Sequence, residues 1–107
     1  MSQADYSKEA NLNGAAMLAK AMSDENRLRI ILFLAKGKKT VSAIVEELGI
    51  SQPLVSHHLK ELKRCLMVKV EREGPFIHYE LADQRIQQIL LGLSGLASDL
   101  LANRTTF

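Results

Sequence analysis

The sequence predicts a mainly α-helical chain with one small β-hairpin, in the order α-α-α-α-β-β-α, forming a single domain over residues 1–107. Three observations carry this. Apolar residues recur at spacings of three and four over most of the chain, the period of helices with one buried face. Between Val68 and Leu81 the period drops to two, as in a half-buried strand. From Thr40 to Leu66 two short helical patterns meet at a glycine turn, which is a helix-turn-helix.

A chain of 107 residues with 47% hydrophobic content suffices for one core and is too short for two. The net charge of +2 is only mildly basic, but the cations are unevenly spread. Arg27, Arg29, Lys36, Lys38 and Lys39 precede the helix-turn-helix, and Lys60, Lys63, Arg64, Lys69 and Arg72 lie within or after it. Cys65 is the single cysteine, so an intramolecular disulfide is excluded. The start, MSQADYSKEA, lacks the apolar core of a signal peptide, and no apolar run reaches the ~18 residues that span a bilayer. A cytoplasmic protein with no membrane partner is expected.

Residues 1–10 are polar and aperiodic, a predicted flexible arm. Leu12, Ala15, Ala16, Leu18, Ala19 and Met22 then fall at helical spacing over residues 12–22, and the alanines permit close approach of another helix. Ser23 or Asp24 offers an N-cap for a helix from Glu25 to about Lys36, with Leu28, Ile31, Leu32 and either Leu34 or Ala35 turned inward. Gly37 ends it. Lys36, Lys38 and Lys39 suit the negative end of the helix dipole and need no further role.

In the helix-turn-helix, Val41, Ile44, Val45 and Leu48 share one face, and Gly49 closes that helix in the left-handed conformation glycine takes easily. Ser51 caps the next helix. Pro53 sits in its first turn, where a missing N–H is tolerated. Val55, Leu59 and Leu62 form the inward stripe of a helix reaching about Arg64. Gln52, Ser56, His57, Lys60 and Lys63 are left outside, and their amide, hydroxyl, imidazole and ammonium groups match base edges and phosphates.

Val68 and Val70, then Ile77, Tyr79 and Leu81, alternate with polar residues around a turn at Glu73, Gly74 and Pro75. A hairpin directly after a helix-turn-helix is the winged-helix arrangement, and Arg72 is its cation nearest the turn. His78 falls on the polar face and is predicted to be solvated. From Asp83 to Ala102 the helical period returns with a wide apolar face, including Ile86, Leu90, Leu93, Leu96 and Leu100, with Leu91 off the stripe. At ~1.5 Å per residue this helix is roughly 30 Å long, more than so small a body needs to close its own core. The residues predicted to pair two copies are Leu12, Ala15, Ala16 and Ala19 from helix 12–22 and those five from helix 83–102. The alternative is a monomer that folds the long helix wholly over itself.

No cofactor or metal site is expected from the residues. His57 and His58 are adjacent, about 100° apart around a helix, whereas a helical chelate needs a spacing of three or four. Gly92-Leu93-Ser94-Gly95 is one residue short of a nucleophile elbow and lies in an apolar helix, so it reads as small residues at a helix crossing, and no enzyme is predicted. The competing function is a winged helix that binds protein. The polar, basic outward face favours double-stranded DNA, because a protein-binding face prefers aromatic and apolar anchors.

With these elements in order, the chain resembles the ArsR/SmtB family of winged-helix repressors. The likeness runs through LAKAMSDENRLRIILFL, IVEELGISQPLVSHHLKELKRCLMV and the wing EREGPFIHYEL, from Leu18 to Leu81. The resemblance implies a homodimer that grips a palindromic operator and lets go when an inducer, here unidentified, is present. Many relatives sense metals through a Cys-Val-Cys where this chain has Thr40, Val41 and Ser42. Others hold zinc with carboxylates at the places of Asp83 and Asp99 and imidazoles where Arg85 and Leu96 stand. Both donor sets are thus expected to be absent. Cys65 falls at the place of the glycine that ends the recognition helix in relatives, and is expected to be structural rather than a redox sensor. Gly74-Pro75 replaces the Gly-Arg or Gly-Lys common at the wing tip, leaving Arg72 as its cation.

Overall fold

A computed structural model describes residues 10–103. The predicted arm, apart from Ala10, lies outside the described residues. The elements are α1 (Leu12–Ala21), α2 (Glu25–Leu34), β1 (Lys39–Thr40), α3 (Val41–Leu48), α4 (Gln52–Arg64), β2 (Val68–Glu73), β3 (Phe76–Leu81) and α5 (Arg85–Ala102). The predicted order is present with one addition. β1 pairs antiparallel with β3, Lys39 opposite Tyr79 and Thr40 opposite His78, so the hairpin becomes a three-stranded sheet of order β1-β3-β2. A two-residue strand carries no readable period, which is why the sequence does not announce it.

Helix starts follow local side-chain chemistry. Asp24, rather than Ser23, caps α2, its carboxylate accepting from the Arg27 N–H at 3.1 Å. Thr40 Oγ1 accepts from the Ala43 N–H at 3.2 Å and Ser51 Oγ from the Leu54 N–H at 3.3 Å, capping α3 and α4. Each such cap is worth about 1 kcal/mol. Gly49 stands in the left-handed region at φ 68° and its N–H donates to the Val45 carbonyl, closing α3 as its type demands.

The core joins Ile30, Ile31 and Leu34 of α2 to Ile44 of α3, Val55, Leu59 and Leu62 of α4, Met67 just before β2, and Val68 and Leu81 of the sheet. The inward stripe predicted for α4 is thus buried as expected. In α2 the buried face is turned by about one residue: Ile30 is fully buried and Leu32 exposed, because α2 packs against α3, α4, α5 and β3 rather than against one neighbour. Ile86 and Leu90 of α5 also enter this core. Beyond them Leu93, Leu96 and Leu100 are 52%, 54% and 60% exposed.

Three smaller expectations are corrected. His78 is partly buried and its Nδ1 is covered with no hydrogen-bond partner among the described residues, since Thr40 of β1 lies opposite it. Gly92 and Gly95 have open space where a Cβ would stand, so among the described residues the helix crossing expected there is not made within the protomer and is left to a second copy. Cys65 has φ −90° and is the C-cap of α4; the left-handed residue is Leu66, at φ 62°.

Candidate nucleic-acid interface

Helix α4 is buried on one side by Val55, His58, Leu59 and Leu62, and this sets what the other side presents. Gln52, Ser56, His57, Lys60 and Lys63 are all exposed there. Among the described residues none of these side chains has a hydrogen-bond or ion-pair partner, so their donors and acceptors face solvent unused. Arg64, the next cation, is instead drawn to Glu61 at 3.5 Å along its own helix.

The wing follows α4 after the turn at Cys65 to Met67. Cross-strand pairs place Val68, Val70 and Arg72 on one face with Leu81, Tyr79 and Ile77. Val68 and Leu81 lie in the core and Tyr79 packs against it, with Val70 half-buried opposite; the third pair, Arg72 with Ile77, lies beyond on the exposed part of the wing. Gly74, at φ 61°, and Pro75 make the two-residue turn, and Phe76 is 60% exposed beside it.

Several cations that the sequence presents as one basic field prove to be engaged within the fold. The Arg27 guanidinium donates to the Ala21 carbonyl at 2.6 Å and approaches His58, and Arg29 pairs with Glu25 at 3.1 Å. Lys38 Nζ bridges the carboxylates of Glu71 and, at 3.3 Å, Glu73, which holds the Glu71 carboxyl below its ordinary range and raises the lysine. Lys39 lies 4.9 Å over the Phe33 ring, a cation–π contact. The Lys38 bridge offsets one of the two negative charges that Glu71 and Glu73 place on the wing. Sequence reasoning missed it because the partners are up to 35 residues apart.

The metal sites of relatives do not fit these residues. Arg85 grips the Asp83 carboxylate through its own N–H at 2.9 Å and its guanidinium at 2.8 Å, and these bonds lower the Asp83 pKa to about 2. A cation of the protein thus already occupies that carboxylate. Thr40 Oγ1 is engaged as a cap. Among the described residues no group of three or more His, Cys, Asp or Glu side chains is placed to hold a metal ion, and no helix is long and apolar enough to cross a membrane.

Residues 24–70 match the family described as bacterial regulatory protein, arsR family. The chain is 36% identical over 84 residues to a probable mercury resistance operon repressor of Streptomyces lividans, covering 78% of this chain and 67% of that one. It is 40% identical over 77 residues to an HTH-type transcriptional regulator of Methanocaldococcus jannaschii, covering 71% and 86%. A solution structure of a homodimeric winged helix-turn-helix DNA-binding domain from Mycobacterium bovis superposes with a TM-score of 0.73 at 28% identity, over 82% of each chain. Motif, wing and these likenesses agree: the chain belongs to the arsR family of bacterial regulatory proteins.

Proposed function

We propose that this protein is a homodimeric DNA-binding transcriptional repressor. The observation that carries the reading is α4, buried along one side and bearing unpartnered polar and basic groups on the other. Gln52, Ser56 and His57, near its N-terminal end, are assigned to base edges and adjacent phosphates in the major groove. Lys60, Lys63 and Arg72 of the wing, on longer stems, are assigned to phosphates. The exposed Leu12, Ala15, Ala16 and Ala19 of α1 and Leu93, Leu96 and Leu100 of α5 form the dimer face. Ile86 and Leu90 support that face from within the protomer's core. A two-fold dimer then reads a palindromic operator with half-sites about one helical turn apart, or a multiple of it.

Release by an inducer completes the reading. With neither familiar metal donor set present, that inducer is a small molecule or redox signal of a class these residues do not name. Fluorescence anisotropy against DNA flanking the protein's own gene, and against a scrambled duplex, tests the proposal. Tighter binding to the flanking DNA, weakening with salt, is expected. Equal binding to both duplexes would instead favour a protein-interaction role.

A further inference from the structure

Among the described residues Leu66 is the one non-glycine residue in the left-handed region; Gly37, Gly49 and Gly74 share that sign of φ. The turn itself has a local reason. The Leu66 N–H donates to the Lys63 carbonyl and the Met67 N–H to the Leu62 carbonyl, each at 3.0 Å, and this reversal brings Met67 and Val68 straight into the core. Glycine would make the same turn without the crowding that a Cβ meets there. Leucine is therefore held against its backbone preference, yet its side chain is 80% exposed and gains little from the protomer. An observed strain of this kind points outward, to a contact that the side chain makes elsewhere.

The surroundings identify the occupant. Leu66 opens on a mainly apolar depression lined by Leu18 of α1 and Ile86 and Ile89 of α5, with the Asp83–Arg85 ion pair also in its lining. Ile89 is 58% exposed, and from it the exposed apolar surface continues along α5 through Leu93, Leu96 and Leu100. The depression is thus continuous with the face assigned above to the second copy. We infer that Leu66 packs against the partner protomer at the groove between α1 and the start of α5, tying the C-terminal end of each recognition helix to the dimer interface. This rests on the homodimeric reading.

Sedimentation velocity over a dilution series tests it with wild type, Leu66→Gly, Leu66→Asn and Leu66→Met. Glycine and asparagine both accept the left-handed backbone, so both variants should keep the wild-type circular dichroism spectrum. Each should raise the dimer dissociation constant by about a hundredfold, roughly tenfold for each of the two leucine side chains removed per dimer. Leu66→Met, which keeps the apolar bulk, should stay within about threefold of wild type. Unchanged dissociation constants in both the glycine and asparagine variants would overturn the inference, as would loss of helical signal in both, which would place Leu66 in the protomer's own fold. A wild type that stays monomeric throughout would overturn the homodimeric reading itself.

Discussion

Arg27 Nη1 lies 3.4 Å from His58 Nδ1, joining the start of α2 to the buried side of the recognition helix. An arginine only donates, so in this contact Nδ1 acts as acceptor, which matches the tautomer with its proton on Nε2, 3.8 Å from the Asp24 carboxylate. This contact favours the neutral imidazole. Burial pushes its pKa below the ordinary 6.5; Asp24 pulls it back up, and Arg27 and His57 oppose that. Asp24, which also caps α2, is itself held below the usual carboxylate value, chiefly by the Arg27 N–H.

Stability should accordingly fall as pH drops below the ordinary histidine value. There the unfolded chain protonates this position and the folded chain resists, so unfolding takes up a proton. The contribution is fully present above pH 6.5 and is lost as pH falls from there towards the lowered folded value. Denaturant unfolding at about pH 7.5 and about pH 5.5 should show a smaller loss for His58→Gln than for wild type. Equal losses would mean that the ring charges in the fold without penalty.

The Lys38 bridge predicts a charge-coupled effect on DNA binding. Lys38→Gln releases Glu71 and Glu73 towards the phosphates, and affinity should fall by roughly threefold to tenfold. Adding Glu71→Gln to that variant should recover part of the affinity, because one of the two liberated carboxylates is then gone. If the double variant binds no better than Lys38→Gln alone, Lys38 acts through its own charge only.

Base-reading and phosphate-binding side chains should fail differently. Gln52→Ala is expected to relax preference at particular operator positions at a cost on the order of 1–3 kcal/mol. Lys63→Ala or Arg72→Ala should weaken all sequences alike and lower the salt slope by about one for each phosphate left unneutralised by each protomer. Affinities for operator and scrambled DNA at several salt concentrations separate the two. The assignment is reversed if Gln52→Ala weakens binding to both duplexes equally while Arg72→Ala weakens binding to the operator alone.

Leu96→Glu places a carboxylate on an exposed, apolar part of α5. The protomer should stay folded, since Leu96 lies outside the core formed with Ile86 and Leu90. Its dimer should dissociate at concentrations where wild type remains paired, with operator affinity falling in parallel. Size exclusion with light scattering checks this, and co-elution of the two proteins as dimers would remove Leu96 from the interface.

Much of the fold was legible because it is written locally. The period of Val55, Leu59 and Leu62, the cap at Ser51, the cap offered by Ser23 or Asp24, and the left-handed closure at Gly49 each depend on residues within one or two turns of chain. The outward position of Gln52, Ser56, His57, Lys60 and Lys63 follows from that same period, so the candidate DNA face could be read with its helix. Tertiary structure alone decided what depends on distant partners. β1 exists because β3 offers it an edge, Lys38 meets Glu71 across the sheet, and the apolar face of α5 divides at Leu90 because the protomer's core ends there. The left-handed turn at Leu66 is closed locally, by the Leu66 N–H on the Lys63 carbonyl and the Met67 N–H on the Leu62 carbonyl, whereas the burial of Met67 and Val68 that follows it depends on the distant residues of the core.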